Sequence, residues 1–284
     1  MEDRLINMNT SFKNKNLSEL TVGFIGCGKM ASAIIKGIIN SGFLPADNII
    51  ASEISAEFAS SKKEELKINV VTDNKIVASQ SDVIFLATKP HYIKDVLAEI
   101  GGELDGDKLV VSIAAGISTK TIEEAIGKKV PVIRVMPNAP AIILEGMSGV
   151  VKGKFAKDEH VEFVVNLLSN IGKCIVVDED KIDVLTAISG SGPAFFYKII
   201  HEMATAGDKL GLDYEKSLML AIQTAIGSAK LMLESDLSSD ELIQSVATKG
   251  GCTAVGVDFM NSSNTEELFF GLIKNTAEKA KGLG

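Results

Sequence analysis

A glycine-rich turn between an apolar run and a helix-compatible segment constrains this chain more than any other feature. The run from Val22 to Ile25 leads into Gly26-Cys27-Gly28-Lys29-Met30-Ala31, and residues 29–41 are compatible with a helix. In strand–turn–helix units with this fingerprint, the first glycine permits the tight turn and the second lets the backbone approach a pyrophosphate. Ala31, in the third position, lets the helix pack closely against the strand. The helix N-terminus then offers N–H groups and a positive dipole end to phosphates.

An acidic residue at the end of the next apolar run supports a dinucleotide site. The segment 48–52 is followed by Glu53, in the position where a carboxylate can hold ribose hydroxyls. A Gly-x-Gly turn by itself could instead be structural, because loops also use glycine for positive φ angles. Glu53 would repel a 2′-phosphate and so favours NADH, although Ser52, Lys62 or Lys63 could accommodate NADPH. The sequence therefore predicts NADPH or NADH as cofactor, and redox chemistry.

Composition argues against several classes of protein. The chain has 284 residues, of which 46% are hydrophobic and 23% charged, as in a globular protein of one large or two moderate domains. A net charge of −8 disfavours a general affinity for nucleic acid. Neither a signal peptide nor an apolar run of membrane-spanning length is evident. The three cysteines show no metal-ligand spacing, so we expect reduced thiols in a cytoplasmic protein without a metal.

Two different patterns divide the chain. Between residues 21 and 178, short β-branched runs alternate with helix-like segments, which predicts βαβ units and a mainly parallel sheet. Between 179 and 284, helix-favouring residues predominate. We therefore expect an α/β fold with a dinucleotide-binding domain at 21–178 and a helical domain at 179–284, after a polar, mobile extension at 1–20.

The same patterns predict the individual elements. The expected strands are 21–26, 48–52, 68–71, 82–88, 109–115, 130–136, 147–152 and 173–177. The expected helices are 29–41, 55–66, 90–100, 118–126, 158–170, 180–189, 193–210, 214–235, 238–247 and 252–281. The segment from Ser217 to Leu233 is apolar nearly all round, which is typical of a helix buried on every side. Because a helical domain of this size is small, a partner subunit is the expected cover, and we expect a dimer.

Two further glycine-rich segments lie in the helical half. Pro193 in Ser189-Gly190-Ser191-Gly192-Pro193-Ala194 suits a helix entry, but the small residues could equally admit a cofactor or another backbone. The Gly250-Gly251 pair opens a helix between Thr248 and Thr253. It predicts an anion cradle suited to a carboxylate, or else a plain helix–helix turn. His91, His160 and His201 show no catalytic or metal-binding spacing, which leaves hydride transfer by orientation as the favoured chemistry.

Several ordered motifs together resemble the pyrroline-5-carboxylate reductase family. They extend from about residue 21 to 270 and comprise VGFIGCGKMASAI, FLATKP, SIAAGI, RVMPNAPA, AISGSGPAFFY, GLDYEKSLMLAIQTAIGSAKLML and TKGGCTAVGV. The resemblance implies a Rossmann-type domain and an all-α dimerisation domain that interlocks with its partner in a homodimer, which can assemble further. The implied reaction is NAD(P)H-dependent reduction of the cyclic imine 1-pyrroline-5-carboxylate to L-proline, the last step of proline biosynthesis.

The resemblance also implies the site residues. The cofactor contacts would be Ile25, Gly26, Cys27, Gly28, Lys29, Met30, Ser52, Glu53, Asn74, Ala87, Thr88, Lys89, Pro90, Ile113, Ala114 and Ala115. The substrate carboxylate would lie at Val246, Thr248, Gly251, Cys252 and Thr253. Thr253 is the expected catalytic residue, since its hydroxyl could hydrogen-bond the ring nitrogen. Lys249 stands where the family usually has proline, and it either adds a charge beside the carboxylate or points to solvent.

Two other interpretations stay open at this point. The β-hydroxyacid dehydrogenases share the glycine fingerprint and a helical second domain, but their catalytic lysine follows a glycine-rich turn closely. Lys198 comes six residues after Gly192, which is too late for that spacing. A dinucleotide sensor that has kept the fold and lost turnover is the alternative that is not an enzyme.

Overall fold

The computed structural model describes residues 15–282, and contacts within the chain divide it into two compact units. One unit comprises the residues up to Gly190 together with those from Thr276 onward, and the other comprises Ser191–Asn275. The predicted domains divide instead between residues 178 and 179, and that division stays a prediction. No helix between residues 15 and 282 is both long enough and apolar enough to span a membrane.

The first unit alternates strands and helices. Its strands are β1 (Val22–Ile25), β2 (Ile49–Ser52), β3 (Asn69–Val71), β4 (Val83–Leu86), β5 (Leu109–Ser112), β6 (Val132–Met136), β7 (Gly146–Lys152) and β8 (Gly172–Val176). Its helices are α1 (Lys29–Asn40), α2 (Ala56–Leu66), α3 (Asn74–Gln80), α4 (Ile93–Ile100), α5 (Thr119–Ile126), α6 (Asp158–Leu168) and α7 (Ile182–Leu185). Short 3-10 turns are Leu17–Glu19, Ala46–Asn48, Pro90–Tyr92, Gly101–Glu103, Ala139–Ile143, Ser169–Ile171 and Glu179–Lys181, and a π-helical turn covers Thr186–Gly190.

The eight strands form one sheet in the order β3-β2-β1-β4-β5-β6-β7-β8. Neighbouring strands are parallel except for β6 and β7, which are antiparallel. The strand order reverses at β1, which lies between β2 and β4. In open sheets of this kind, ligands bind beyond the carboxyl ends of the strands at such a switch point. The predicted mainly parallel α/β fold is confirmed.

Both faces of the sheet are covered by apolar side chains, as a parallel sheet requires. Phe24 and Phe85 stack on one face with ring centroids 4.6 Å apart. Ile25, Ile84 and Leu86 belong to the cluster on the other face. Each of these residues is buried, so β1 and β4 are continuous apolar runs with no polar face. Because both strands are packed into the core, they fix the positions of the turns that follow them.

The second unit is helical. Its helices are α8 (Gly192–Lys209), α9 (Tyr214–Glu234), α10 (Ser239–Val246), α11 (Cys252–Ser262) and the main part of α12 (Thr265–Lys281). The helix-favouring composition of residues 252–281 predicts one helix there, but the structure has two. Asn264 adopts a left-handed conformation with φ 54°, which ends α11 because such a residue cannot continue a right-handed helix.

Two other details differ from expectation. Helix α3 was not predicted, because its seven residues bury only Val77 and Ala78 and show no helical periodicity. Residues 15–20 of the expected mobile extension lie against the first unit: Leu20 is buried, and Lys15 pairs with Asp82 at 2.8 Å. The rest of that extension, residues 1–14, lies outside the described part of the chain.

Candidate nucleotide cleft and anion-binding turn

A cleft of about 590 Å³ lies at the switch point of the sheet. The register aligns Ile25 with Ser52 on one side and with Leu86 on the other. The turns that follow β1, β2 and β4 therefore emerge together at one edge. The residues lining the cleft are Gly26, Cys27, Gly28, Ser52, Glu53, Ile54, Thr72, Asn74, Ala87, Thr88, Lys89, Tyr92, Asp95, Val96 and Glu99.

The glycine turn has the geometry that a diphosphate needs. Gly26 has φ +90°, and a Cβ there would lie 3.0 Å from the carbonyl oxygen of Ala87. A larger residue would therefore be both strained and crowded. A Cβ at Gly28 would meet nothing within 4 Å, so a side chain there would extend into open space beside the cleft. Gly28 is also the N-cap of α1 and supplies no side-chain hydrogen bond to its first N–H groups, which suits anion binding.

Glu53 connects the end of β2 to the glycine turn. Its Oε1 accepts a hydrogen bond from the Cys27 N–H at 2.9 Å, and its Oε2 accepts one from the Ile54 N–H at 3.3 Å. Beside it, the Ser52 hydroxyl donates to Asn74 Oδ1 at 2.7 Å, and Asn74 Nδ2 donates to Glu99 Oε2 at 2.7 Å. These bonds order the polar groups at the ends of β2 and β3.

Thr88 supplies an unused hydrogen-bonding group. Its Oγ1 is buried and has no hydrogen-bond partner among the described residues, although the residue lines the cleft. A buried hydroxyl without a partner costs about 1–3 kcal/mol of stability. A ligand in the cleft could satisfy this hydroxyl. This unpartnered hydroxyl and the open space at Gly28 make the lining compatible with a dinucleotide.

Most of the predicted cofactor residues line this cleft, and the others lie around the same edge. Ile25 is buried at the end of β1, Lys29 and Met30 begin α1, and Pro90 begins a 3-10 turn. Residues 113–115 follow β5 beside β4, where the Ile113 N–H donates to the Leu86 carbonyl at 3.1 Å. Whether each of these residues contacts a cofactor stays a prediction.

Helix α4 contributes a part of the lining that the sequence motifs did not predict. Tyr92, just before α4, and Asp95, Val96 and Glu99 within it all line the cleft. Their spacing puts them on one helical face, and this periodicity was the available signal. Thr72 and Ile54, which follow β3 and β2, were also missed.

Two lysines near the glycine turn share one carboxylate. Lys36 donates to Glu65 Oε1 at 2.7 Å, and Lys62 donates to Glu65 Oε2 at 2.8 Å. These hydrogen bonds lower the pKa of Glu65 to about 2. Lys62 also donates to the Ser32 hydroxyl at 3.0 Å, which in turn donates to the Cys27 carbonyl. Burial raises the pKa of the Cys27 thiol to about 11, so this thiol is un-ionised at neutral pH.

The predicted substrate residues lie in the second unit, in the turn between α10 and α11. Val246 ends α10, Gly251 is the N-cap of α11, and Cys252 and Thr253 are its first two residues. The Gly251 N–H donates to the Thr248 carbonyl at 2.9 Å, and a Cβ at Gly251 would lie 3.0 Å from Thr248 Oγ1. A larger residue would crowd this turn, and no N-cap side chain covers the first N–H groups of α11. Lys249 is exposed.

The histidines take part in local contacts. His160 Nδ1 accepts from the Lys157 N–H at 2.8 Å, His201 Nδ1 lies 3.0 Å from the Tyr214 hydroxyl, and the ring of His91 packs on Tyr92. Pro193 lies in the first turn of α8, as the helix-entry interpretation expects. Within residues 15–282, no group of three His, Cys, Asp or Glu side chains is placed to hold a metal ion.

Comparisons with known proteins match both halves of the chain. Residues 179–283 match the family described as pyrroline-5-carboxylate reductase dimerisation, and residues 21–116 match NADP oxidoreductase coenzyme F420-dependent. A pyrroline-5-carboxylate reductase of Methanosarcina acetivorans is 36% identical, with 93% of this chain and 97% of the relative covered.

Solved structures agree with these matches. A pyrroline-5-carboxylate reductase from Coxiella burnetii is 32% identical with a TM-score of 0.89, and the alignment covers 93% of this chain and 98% of that one. The Plasmodium falciparum pyrroline carboxylate reductase with NADP bound is 30% identical with a TM-score of 0.83, over 94% and 99% of the two chains.

Proposed function

The chain belongs to the pyrroline-5-carboxylate reductase family, and from this membership we infer that it reduces 1-pyrroline-5-carboxylate to L-proline with NAD(P)H. The reaction is that of an oxidoreductase acting on an imine, at the last step of proline biosynthesis. The observation that carries the proposal is the cleft at the switch point, where the bare glycine turn and the unpartnered Thr88 hydroxyl suit a dinucleotide. Bound NADH or NADPH supplies the hydride that adds to C5 of the imine, while the ring nitrogen keeps or gains a proton.

The residues of the cleft bind and orient the nucleotide. The backbone at Gly28 and the first N–H groups of α1 would hold the diphosphate, since helix N-termini attract anions, whereas the Gly26 and Cys27 N–H groups are bonded to Ser52 and Glu53. Glu53 would accept hydrogen bonds from a ribose diol. Thr88 would donate or accept one bond that the protein leaves unmade. The roles of the other predicted cofactor residues rest on the family resemblance.

The turn between α10 and α11 would grip the carboxylate of the imine. Its support is the unobstructed N-terminus of α11 behind Gly251 and the hydroxyl groups of Thr248 and Thr253 beside it. Thr253 would hydrogen-bond the ring nitrogen and retain its proton. A protonated imine is already electrophilic, so orientation can suffice without a strong general acid.

The assembly and the location of the protein belong to the same proposal. We propose a homodimer formed through the helical half, supported by the dimerisation match and by the exposed apolar side chains of α9. A higher homo-oligomer is compatible with the family resemblance. The three cysteines are free thiols, which supports a cytoplasmic protein.

One assay tests the function directly. The full chain is incubated with 1-pyrroline-5-carboxylate and NADH or NADPH, and absorbance of the reduced nicotinamide is followed. Loss of absorbance with formation of proline is expected. Oxidation of hydroxy acids instead would favour a β-hydroxyacid dehydrogenase, and nucleotide binding without turnover of any imine would favour a sensor.

A further inference from the structure

We propose that the cleft selects NADH over NADPH, and that Glu53 is the residue that disfavours the 2′-phosphate. The inference rests on the proposed function, because it names which reduced nucleotide serves the reaction. Three features of the first unit support the proposal. They are the fixed position of the Glu53 carboxylate, the negative charge of the cleft lining, and the contacts of Lys62 with Glu65 and Ser32.

The Glu53 carboxylate is held where a ribose is bound in sheets of this topology. Glu53 follows β2 directly, and β2 neighbours the strand that leads into the glycine turn. Its two oxygens accept hydrogen bonds from the N–H groups of Cys27 and Ile54. Turning the carboxylate away from the cleft would break both bonds and leave the Cys27 N–H without its partner. The charge therefore stays beside the ribose position, where a diol can donate to it.

The lining of the cleft is negative around this carboxylate. Glu53, Asp95 and Glu99 line it, whereas Lys89 is the only lysine or arginine among the described lining residues. A 2′-phosphate brings between one and two negative charges at neutral pH. Its repulsion from a carboxylate a few ångströms away is equivalent to about a tenfold loss of affinity in a partly solvated site. The 2′-hydroxyl of NADH meets no such repulsion.

The other polar groups near this position are already engaged. Ser52 donates its hydroxyl hydrogen to Asn74, and Asn74 donates one of its two amide hydrogens to the Glu99 carboxylate. Ser52 therefore has no unused donor for a phosphate, and the Asn74 amide is held beside a second negative charge. Lys62 is linked to the glycine turn only through Ser32, and its ammonium is paired with Glu65. Neither Lys62 nor Lys63 lines the cleft. The two lysines that could have accommodated NADPH are therefore not placed to do so.

Direct binding measurements test the proposal without relying on turnover. NADH and NADPH are titrated separately into the full chain by isothermal titration calorimetry. We expect NADH to bind about tenfold more tightly, from the repulsion of the 2′-phosphate. In Glu53→Gln, the amide oxygen can still accept from the Cys27 N–H while the charge is lost. This variant should bind NADPH about tenfold more tightly than the native chain does, and NADH more weakly, because a neutral amide oxygen is a poorer acceptor for the ribose diol than a carboxylate.

A matched control separates the local carboxylate from net charge. Glu64→Gln makes the same charge change on α2, at an exposed residue that does not line the cleft, and should leave both affinities unchanged. Glu53→Ser is a second variant in case Glu53→Gln folds poorly, and thermal melts check both. NADPH binding as tight as NADH in the native chain would overturn the proposal. An unchanged affinity ratio in the folded Glu53 variants would do so as well.

The same experiment distinguishes this inference from the proposed function. If NADH is preferred but 1-pyrroline-5-carboxylate is not reduced, the selection by Glu53 stands and the substrate assignment fails. If the imine is reduced equally well with both nucleotides and they bind equally, the function stands and the inference fails. If neither nucleotide binds, both fail together, because the cleft is then not a nucleotide site.

Discussion

Several single residues act by controlling which backbone N–H groups stay available. Glu53 occupies the Cys27 N–H, whereas glycine N-caps at Gly28 and Gly251 leave the first N–H groups of α1 and α11 without a side-chain partner. An N-cap is normally Ser, Thr, Asp or Asn, whose side chain would take one of those groups. Glycine at both positions therefore gives up only about a few tenths of a kcal/mol of helix stability and keeps an anion site open.

We predict that Gly28→Leu abolishes nucleotide binding without unfolding the protein. A leucine side chain meets no protein atom at its Cβ, so it would extend into the space that the diphosphate needs. NADH affinity should fall at least about a hundredfold by calorimetry. The melting temperature should drop by no more than about 4 °C, in line with the loss of roughly 1 kcal/mol from a weaker N-cap.

Gly102→Leu is the matched control for this substitution. A Cβ at Gly102 likewise meets nothing within 4 Å, and the residue does not line the cleft. NADH affinity of Gly102→Leu should equal that of the native chain. Retention of native NADH affinity by Gly28→Leu would contradict the assignment of the glycine turn to the diphosphate.

Thr253→Ala should lower kcat/KM for the imine by about tenfold and leave NADH affinity almost unchanged. The loss corresponds to one hydrogen bond of roughly 1–1.5 kcal/mol. Thr253→Ser retains the hydroxyl and should recover most of the activity. Equal losses in catalysis and in NADH affinity, or equal activities of the Ala and Ser variants, would refute the role of this hydroxyl.

At the scale of elements, one carboxylate joins three parts of the first unit. Arg134 lies on β6 with its side chain buried, and its guanidinium pairs with Glu179 Oε1 in the 3-10 turn after β8. Glu179 Oε2 accepts from both the N–H and the hydroxyl of Thr119, the first residue of α5. The carboxylate therefore neutralises a buried cation and also satisfies a helix N-terminus.

Glu179→Ala should lower the free energy of unfolding by about 2 kcal/mol. This value lies between the small effect of exposed pairs and the 3–5 kcal/mol reported for fully buried ones, because Glu179 is about one-third exposed. Urea denaturation at pH 7 measures it. The control Glu124→Ala removes the partner of Lys120 on exposed α5 positions and should change stability by less than about 0.5 kcal/mol. Similar losses of unfolding free energy for the two variants would show that the effect of Glu179 does not come from its pairing with the buried Arg134.

At the scale of the whole molecule, the helical half has too few residues to cover its own apolar surface. Helix α9 buries only Ser217 and Ala221, while Met219, Leu220, Ile226, Leu231 and others are exposed. The predicted burial of this helix is therefore not achieved within one chain. Several large exposed apolar side chains on one helix are typical of a surface that another subunit covers.

A double substitution on α9 tests the proposed dimer. Met219 and Ile226 are seven residues apart and so lie on one face of the helix. Met219→Glu with Ile226→Glu would place two charges in an apolar interface, and light scattering should show a monomer. The control Phe58→Glu changes an exposed apolar residue of α2 and should leave the native assembly intact. A native-like mass for the double variant would exclude this face from the interface.

Much of the fold could be predicted because its signals are local. Each of the eight predicted strands is present, since β-branched runs bounded by turn residues show directly in the sequence. Helix α3 was missed because two buried residues make no periodic pattern. The single helix predicted over 252–281 was wrong because its composition continues across Asn264, and only the backbone conformation there ends α11.

The residues of the candidate site also fall into two groups, those that the local sequence reveals and those that depend on packing. The glycine turn and Glu53 could be recognised because a strand–turn–helix unit is contiguous in the chain. The spacing of Asp95 and Glu99 puts them on one face of α4, but the sequence does not tell that this face meets the sheet edge, so their contribution was missed. Likewise, Lys62 remained a candidate for NADPH until the structure placed it outside the cleft lining and against Ser32 of α1.

The sequence by itself determined the order of strands and helices, the turn at Gly26–Gly28 and the family, because these depend on local chemistry and on ordered motifs. Only the tertiary structure decided the electrostatic character of the cleft. It aligned the ends of β1, β2 and β4, directed Glu53 toward the Cys27 N–H and placed Lys62 against Ser32 of α1. Charges act through distances in space, and distances between separate elements follow from packing and not from spacing along the chain.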